Sequence, residues 1–329
     1  MTFLSKGGGE KMFDYIKKRF PALYDYYSHL QRVKKIREIE KIKQQPISYQ
    51  MRILEELYEE RIGHKLDWNN LQTYTEKMQW EKMFDKNPQK ILLSDKFKVR
   101  DWVAEKIGEQ YLIPLLGVWK NFDDIDFESL PNQFVLKTNH GSGTNYIVND
   151  KSKFNINRAK LMFNDWMKID YGYNTGFELH YSEIERRIIA ERYLETQQKE
   201  LQDYKFICFD GKPYFCWVDM GRYSHHTRNV YDLSWNLQPW NQENYEIYGE
   251  PIPCPKNFNK MIEIATILSE NFHHVRVDLY NVDGEIYFGE MTFTNGSGLD
   301  RIIPEEYDLS LGKLWNVKTK INFGENNNV

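Results

Sequence analysis

The chain has 329 residues, of which 41% are hydrophobic and 15% aromatic, so it can bury a large core shared by two or three lobes. The formal net charge of -4 excludes a strong overall attraction to nucleic acid or anionic lipid. Cys208, Cys216 and Cys254 lack metal-site spacing and cannot all pair, which indicates a reducing, cytoplasmic setting. No stretch approaches the ~20 apolar residues that a membrane span needs, so we expect a soluble protein.

The first 60 residues are predicted to be helical, and they are more basic than the rest. In "QRVKKIREIEKIKQQ", Val33, Ile36 and Ile39 recur at helical spacing, which predicts a basic amphipathic helix. Two interpretations stay open. The helix packs on the main body with a solvated basic face, or it docks on anionic lipid at the inner face of the membrane or on a partner complex. The aromatic residues near its start are Phe20, Tyr24, Tyr26 and Tyr27.

Helices and strands are predicted to follow in mixed order. Helical periodicity covers "TYTEKMQWEKMFDKNP" and then "KFKVRDWVAEKI", for which Ser94 or Asp95 is the predicted N-cap. Next come a strand "FVLK", a helix "FNINRAKLMFNDWMK" and a strand "RRIIAERYL". A hairpin around Asp210-Gly211, a helix "NKMIEIATILSENF" and a hairpin "VRVDLYNVDGEIYFGEMTF" precede a frayed tail. This order indicates an α+β fold.

A glycine-containing loop separates two strand-like runs in "FVLKTNHGSGTNYIV". Gly141, Ser142 and Gly143 would let backbone N–H groups approach phosphate oxygens, with Lys137 adding a charge at the strand end. An ordinary hairpin loop with an exposed lysine is the alternative. The sequence contains neither a P-loop signature nor a G-x-G-x-x-G motif.

The second hairpin carries an arginine and two acids whose placement depends on the length of its turn. Arg276 and Asp278 share one face of the first strand, and Phe288 and Glu290 share one face of the second. A turn of two or four residues predicts that Asp278 and Glu290 lie on opposite faces. A three-residue turn, 282–284 with a bulge, predicts that Arg276 pairs with Glu290 and that the polar groups converge.

Convergence of Asp278 and Glu290 would suit Mg²⁺, which takes one or two carboxylates together with phosphate oxygens. Two buried acids without a cation repel each other, so they imply a metal ion or a shared proton. The alternative is a solvated face with a cross-strand pair between Arg276 and Glu290. Phe288 on that face argues against full exposure.

Two further patterns suggest metal sites, and we expect neither to be one. Asp124-Ile125-Asp126 resembles the metal motif of nucleotide-sugar glycosyltransferases but lies in an acidic loop, where a solvated turn is expected. The pairs His225-His226 and His273-His274 place neighbouring side chains on opposite faces of a strand, so neither pair can easily chelate one ion.

Six segments in chain order carry a resemblance to a known family: "SDKFKVRDWV", "IGEQYLIPLLGVW", "LPNQFVLKTNHGSG", "ELHYSEIERRIIAERYL", "DYKFICFDGKPYF" and "VRVDLYNVDGEIYFGEMTF". Through them the chain resembles the ATP-grasp superfamily, specifically its TupA-like branch of teichuronopeptide biosynthesis. The resemblance implies two α+β lobes that clamp a nucleotide. The implied divisions are a basic helical extension 1–60, an N-terminal lobe 61–130, a small lobe with the glycine loop 131–194, a large lobe with the metal site 195–315 and a tail 316–329.

The resemblance also implies ATP and Mg²⁺ as cofactors and assigns roles residue by residue. Lys96 and Lys137 would hold the α and β phosphates, and the loop of Gly141, Ser142 and Gly143 would close over them. Asp203 would contact the ribose. The hinge that hydrogen-bonds adenine would consist of Glu191, Arg192, Tyr193 and Leu194.

The implied metal ligands are Asp278, Glu290 and Thr292. Thr292 stands where many relatives have asparagine, so a second Mg²⁺ site stays open. The implied catalytic residues are Arg276, which would steady the phosphoryl group, and Lys205 and His140. The candidates for contact with the acceptor are His140, Lys205, Gly296, Ser297 and Arg301. For His140 the alternative is a hydrogen bond that stabilises the loop.

The implied activity is ATP-dependent ligation of a carboxylate to an amine through an acyl phosphate. The branch implies substrates of cell-surface polysaccharide metabolism, such as a uronic acid and an amino acid or small amine, and a polysaccharide-assembly partner for the basic helix. Nucleic acid is not an implied partner. The alternatives are a nucleotide-sugar glycosyltransferase, a non-catalytic ATP-binding module, and ATP-dependent phosphorylation of a hydroxyl without ligation.

Overall fold

The predicted basic extension forms two helices. The computed structural model describes residues 19–196, 201–221 and 226–316, so the first 18 residues of the extension and nearly all of the predicted tail lie outside it. Helix α1 (Pro21–Lys43) buries Ile39 and half-buries Val33 and Ile36, so the predicted helix is confirmed. Its predicted amphipathic character is not, because Leu23 and Tyr26 are apolar side chains on its exposed face. Helix α2 (Ile47–Ile62) follows and ends at Gly63. No described helix is both long and apolar enough to span a membrane.

Three short helices follow the extension and bring Lys96 to its position. They are α3 (Tyr74–Phe84), α4 (Pro88–Ser94) and α5 (Val99–Ile107). Of the two predicted N-caps of α5, Ser94 is wrong, but Asp95 caps the turn that leads into the helix, since its carbonyl accepts from the N–H of Val99 at 3.0 Å. Ser94 is the last residue of α4, and the Asp95 side chain accepts hydrogen bonds from the backbone N–H groups of Phe97 (2.9 Å) and Lys98 (3.2 Å). Asp95 therefore closes a turn, and α5 begins only at Val99.

A small antiparallel sheet has the strand order β1-β4-β2-β3. Its strands are β1 (Leu115–Trp119), β2 (Phe134–Thr138), β3 (Asn145–Val148) and β4 (Ile188–Arg192). Helix α6 (Ile156–Trp166) packs on one face, where Phe163 meets Phe134 and Ile188 in a shared core. The predicted strands "FVLK" and "RRIIAERYL" are therefore neighbours, with the glycine loop joining β2 to β3.

A larger antiparallel sheet has the strand order β10-β9-β5-β6-β7. Its strands are β5 (Asp203–Phe209), β6 (Lys212–Met220), β7 (Thr227–Asp232), β9 (His274–Val282) and β10 (Glu285–Thr292). Helix α7 (Phe258–Ser269) covers one face, and α3 and α8 (Glu306–Leu314) pack on the other. A short pair of β8 (Asn241–Gln242) and β11 (Ile302–Ile303) lies beside it. The mixed helices and antiparallel sheets confirm the α+β prediction.

The hairpin of β9 and β10 has a two-residue turn. Val282 pairs with Glu285, and both turn residues have positive φ, 53° at Asp283 and 101° at Gly284. For a turn of this length the sequence predicts opposite faces for the two acids, and that prediction is wrong. The register shifts between Phe288 and Glu290, so the intervening glycine forms a bulge that no turn length accounts for.

This bulge at Gly289 brings the polar side chains of the hairpin to one face. Glu290 pairs with Asp278, and Thr292, not Glu290 as the three-residue turn would require, pairs with Arg276. Phe288 precedes the bulge and packs in the apolar core, so its predicted position on the face of Glu290 is also wrong. The predicted convergence is therefore found, but a bulge within the strand produces it.

Candidate functional site

A cavity of about 830 Å³ lies between the two sheets, within the size range of ordinary small-molecule sites. Strands of the small sheet form one wall, and β5, β9 and β10 form the other. Most of the predicted site residues line it: Lys96, Lys137, Gly141, Ser142, Gly143, Glu191, Arg192, Tyr193, Leu194, Asp203, Asp278 and Glu290. Asp278 and Glu290 form an acidic wall on the large-sheet side of the cavity, and Arg276, Lys205 and Thr292 lie behind it. His140 lies behind the glycine loop. The structure therefore gathers the predicted nucleotide-binding residues around one space.

Lys96 connects the glycine loop with the acidic strand β10. Its Nζ donates to the carbonyl of Gly141 at 2.7 Å and lies 3.5 Å from the Glu290 carboxylate. Its position is fixed by the turn before α5, because the amide of Asn139 donates to Asp95 at 2.8 Å and the backbone N–H of Lys96 donates to the Asn139 carbonyl. Asp95 and Asn139 are not among the predicted site residues, and only the folded chain brings them together.

Lys137 forms a part-buried ion pair on the small-sheet wall of the cavity. Its Nζ lies 2.5 Å from the carboxylate of Glu191, which also lies 3.3 Å from the guanidinium of Arg100 on α5. The Glu191 side chain, predicted to belong to the adenine hinge, is thus held by two cations. Arg100 also donates to the carbonyl of Ile113 at 2.7 Å. A single arginine inside a helix carries no sequence signal of such a role.

Asp278 is held by two buried cations. Both nitrogens of the Arg276 fork lie 2.6 Å from its carboxylate oxygens, and Lys205 Nζ lies 2.9 Å away. Burial by itself lowers the pKa of Lys205 and of Arg276, but nearby carboxylates outweigh it and hold both pKa values above their usual ranges. For Lys205 these are Asp203 and Asp278 above all, and for Arg276 the main one is Asp278. Both side chains therefore stay charged at neutral pH.

Glu290 is the more accessible of the two acids, with 30% of its side chain exposed. Its carboxylate accepts hydrogen bonds from Arg276 at 3.1 Å and from the Thr292 hydroxyl at 2.9 Å. Arg276 also donates to the side-chain carbonyl of Asn295, which is not a predicted site residue. Asn295 follows β10 in a loop, so strand periodicity gives no indication that it reaches Arg276.

The donor set of this wall fits one Mg²⁺ ion. Asp278 and Glu290 are cross-strand neighbours and both line the cavity, which matches an ion bound by one or two carboxylates and by substrate phosphates. The described residues contain no cluster of three or more His, Cys, Asp or Glu that would bind a metal without a substrate. The Thr292 hydroxyl is adjacent but is engaged with Glu290 and Arg276, so its role as a ligand stays a prediction.

His140 is almost fully buried behind the glycine loop, at 2% exposure. Burial lowers its pKa to about 4, and the charges of Arg186 and Lys96 act in the same direction. Its ring is therefore neutral at pH 7. The ring of Tyr171 packs against the loop so closely that a Cβ added at Gly141 would lie 2.9 Å from it. The roles of His140 in substrate contact and in loop stability both stay predictions.

The remaining candidates lie outside this cavity. Arg301 lies 3.5 Å from Glu243, and Ser297 accepts a hydrogen bond from the buried Lys82. Asp124 and Asp126 are exposed in an acidic loop, as a solvated turn requires. His273 and His274 diverge, since one is exposed and the other is buried. His225 lies outside the described residues.

Comparison with known proteins identifies the family. The family described as TupA-like ATPgrasp matches residues 76–316, more than half of the chain. The chain belongs to the TupA-like ATPgrasp family. This membership confirms the predicted ATP-grasp fold, and the matched residues contain both sheets and the whole cavity wall. Helices α1 and α2 precede the match. The predicted division into lobes stays a prediction.

Solved structures of ligases share part of this TupA-like ATPgrasp chain at low identity. D-alanine–D-alanine ligase from Bacillus anthracis, complexed with ATP, is 17% identical over 61% of this chain and 54% of its own, with a TM-score of 0.35. Phosphoribosylamine–glycine ligase from Thermotoga maritima is 13% identical over 65% and 52%, with a TM-score of 0.39. D-alanyl-alanine synthetase A from Vibrio cholerae is 12% identical over 61% and 55%, with a TM-score of 0.35. The chain thus spans about half the length of each. No curated protein matches it in sequence.

Proposed function

We propose that this TupA-like ATP-grasp protein is an ATP-dependent carboxylate–amine ligase. The observation that carries the proposal is the meeting of four charged side chains around one cavity. Lys96 and Lys137 approach from the small sheet and its preceding turn, and Asp278 and Glu290 approach from the large sheet. Such an arrangement suits a triphosphate, whose charge needs cations on one side and a carboxylate-bound Mg²⁺ on the other.

In this proposal ATP occupies the 830 Å³ cavity with its adenine at the hinge 191–194 and its ribose near Asp203. Lys96 and Lys137 bind the phosphates, and the glycine loop covers them with backbone N–H donors. Asp278 and Glu290 would hold Mg²⁺, which offsets charge on the transferring phosphoryl group when bound. Arg276 and Lys205 orient Asp278 from behind, and their charges oppose the rise in its pKa that burial causes.

The reaction has two steps that balance. A substrate carboxylate oxygen attacks the γ-phosphorus, and the bond to the β-phosphate oxygen breaks, giving an acyl phosphate and ADP. An amine then attacks the acyl carbon, loses a proton and expels inorganic phosphate, leaving an amide. The glycine loop excludes water from the acyl phosphate. Arg276 remains charged and supports the acidic wall during transfer.

We propose a cell-surface polysaccharide or its precursor as the molecule modified, with a uronic acid as the carboxylate and an amino acid or small amine as the partner. This substrate class is what the resemblance to the TupA-like branch of teichuronopeptide biosynthesis implies. The glycosyltransferase alternative is less well supported, because Asp124 and Asp126 are exposed and do not line the 830 Å³ cavity. One observation favours a non-catalytic ATP-binding module. The hydroxyl of Thr292, a predicted metal ligand, is already hydrogen-bonded to Glu290.

A substrate screen tests the activity. Uronic acids are combined in pairs with amino acids and small amines in the presence of MgATP, and both ADP release and product mass are measured. We expect ADP release that requires the acid and the amine together, and a product mass equal to their sum less one water. ATP binding without turnover under every combination would favour the non-catalytic module, and a phosphorylated product without an amide would favour hydroxyl phosphorylation.

We further propose that α1 docks the protein on an anionic membrane surface. The exposed face of α1 carries apolar side chains in the first part of the helix. Their exposures are 57% at Leu23, 59% at Tyr26 and 45% at Leu30. The same face continues with exposed Lys34 and Arg37. Apolar side chains inserted at the headgroup level and cations beside anionic lipid are the features that interfacial helices combine.

Vesicle binding tests this docking. The full chain is expected to sediment with vesicles that contain phosphatidylglycerol and to stay unbound with pure phosphatidylcholine. Leu23→Glu combined with Tyr26→Glu is expected to weaken binding about tenfold or more, since it removes apolar area and adds repulsion. Leu309→Glu, on an exposed position of α8, is the matched control. Equal binding of both variants would contradict the proposal.

A further inference from the structure

One buried carboxylate beside the 830 Å³ cavity has two cationic partners. The Glu191 carboxylate lies 2.5 Å from Lys137 Nζ through one oxygen and 3.3 Å from Arg100 Nη1 through the other. Lys137 and Glu191 line the cavity, whereas Arg100 is not among its lining residues. The carboxylate therefore connects a cation that faces the ligand space with a cation outside it.

The register of β2 against β4 brings Lys137 and Glu191 together. Val135 pairs with Glu191, and Lys137 pairs with Ile189. Lys137 and Glu191 are therefore diagonal neighbours on one face of the small sheet. The opposite face of β2, through Leu136, packs in an apolar core. The contact between the two charges is thus fixed by the backbone of two paired strands.

Arg100 reaches the same carboxylate from the first turn of α5. Its other terminal nitrogen donates to the Ile113 carbonyl at 2.7 Å, and 13% of its side chain is exposed. Burial lowers the pKa of the Arg100 guanidinium, and the charge of Glu191 opposes that change. An arginine keeps its positive charge in a protein, so Arg100 is a permanent charged partner of Glu191.

A phosphate that binds Lys137 competes with Glu191 for the same ammonium group. If Lys137 were the only partner of Glu191, phosphate binding would weaken the pairing of a carboxylate whose residue is 6% exposed. A buried charge that loses its partner is costly. Arg100 keeps Glu191 paired, so Lys137 can donate N–H groups to phosphate oxygens at a smaller cost in free energy.

We propose that Arg100 is a positioning residue of the phosphate site, which acts on Lys137 through Glu191. The inference rests on the proposed ATP site and adds to it a residue that does not line the cavity. Arg100 neutralises the Glu191 carboxylate, and Lys137 thereby remains available to the phosphates. The affinity of Lys137 for phosphate therefore depends on a residue of α5.

Calorimetric titration of the full chain with MgATP tests this role without turnover. Arg100→Gln is expected to weaken MgATP binding about tenfold or more, since it removes an interaction between charged groups. In a Glu191→Gln background the same change is expected to weaken binding no more than about threefold, because no carboxylate then requires a partner. Arg100→Lys, compared in the same two backgrounds, keeps the charge and is expected to bind MgATP more tightly than Arg100→Gln.

Lys106→Gln is the matched control, because Lys106 lies on the same helix, 3.6 Å from Glu270, and does not line the cavity. Its MgATP affinity is expected to stay within about twofold of the wild type, as is usual for a surface ion pair. Equal weakening by Arg100→Gln in the two backgrounds would show that Arg100 does not act through Glu191, and would overturn the inference. So would a wild-type affinity in Arg100→Gln.

The outcomes separate this inference from the proposed function. Unchanged MgATP affinity in Lys137→Ala would refute the phosphate site itself. Weaker binding by Lys137→Ala together with unaltered binding by Arg100→Gln would keep the phosphate site and reject the role of Arg100. If Arg100→Gln weakens MgATP binding only when Glu191 is present, but no acid and amine support turnover, the role of Arg100 stands and the ligase fails.

Discussion

Lys137→Ala is expected to lower ADP release at least ~100-fold, because a charge contact to the phosphates in a closed site is worth several kcal/mol. Lys137 lines the 830 Å³ cavity between the two sheets, with 20% of its side chain exposed. The measurement is steady-state ADP release with the acid and amine that the screen identifies, together with MgATP affinity by calorimetry. Lys98→Ala is the control, since Lys98 is exposed and outside the cavity.

Glu290→Ala is also expected to lower ADP release at least ~100-fold, because Glu290 is one of the two carboxylates proposed to hold Mg²⁺. Glu285→Ala is its control, because Glu285 is an exposed carboxylate on the same strand. Circular dichroism of each variant shows that the fold persists, which matters because Glu290 contacts Arg276. Retention of more than about a tenth of the wild-type rate by either Lys137→Ala or Glu290→Ala would contradict the proposed site.

The polar hairpin shows where sequence periodicity succeeds and where it fails. Alternation correctly placed Arg276 and Asp278 on one face of β9, because side chains of a regular strand alternate. It could not place Glu290, since the bulge at Gly289 adds one residue and reverses every later position in β10. Glycine tolerates such a position, where a Cβ would lie 3.0 Å from the carbonyl oxygen of Asp278.

The basic side of the site depends on contacts that are distant in sequence. Strand ends at "FVLK" and "ERYL" were predicted, and β2 pairs with β4 as neighbours of the same sheet. The ion pair between Lys137 and Glu191 follows from the register of β2 against β4. A single sequence does not reveal the register between two strands. Lys96 could be singled out only through the family resemblance, because its anchor is the bond from Asn139 to Asp95, 44 residues apart.

The N-terminal extension was predicted as a basic amphipathic helix, and its contacts with the main body were not. Helical spacing identifies the inward residues Ile36 and Ile39 but not the element on which they pack. The partner is α6 and the segment after it, through Asp165 and Asp170. Acidic residues this far along the chain cannot be matched to Arg32 and Lys43 without the fold.

Acid is expected to destabilise the folded protein through His274, which is 1% exposed. Burial lowers its pKa to about 3, so the folded state resists protonation while the unfolded chain takes up a proton below about pH 6.5. The contribution of neutral His274 to the free energy of unfolding is therefore fully present above about pH 6.5, and it decreases as the pH falls toward 3. At about 1.4 kcal/mol per pH unit, the loss reaches about 2 kcal/mol at pH 5.

Urea unfolding of His274→Gln at pH 7 and pH 5 measures this contribution. Burial also raises the pKa of the Asp308 carboxyl, so the wild-type stability alone does not isolate His274 and the informative quantity is the difference between wild type and variant. That difference is expected to shrink by about 2 kcal/mol between the two pH values, since only the wild type retains the buried imidazole. His273→Gln removes a neighbouring imidazole that is 71% exposed and serves as the matched comparison. A His274→Gln difference that is equal at both pH values would show that the folded chain accommodates the protonated ring, and the buried neutral state assigned to His274 would be wrong.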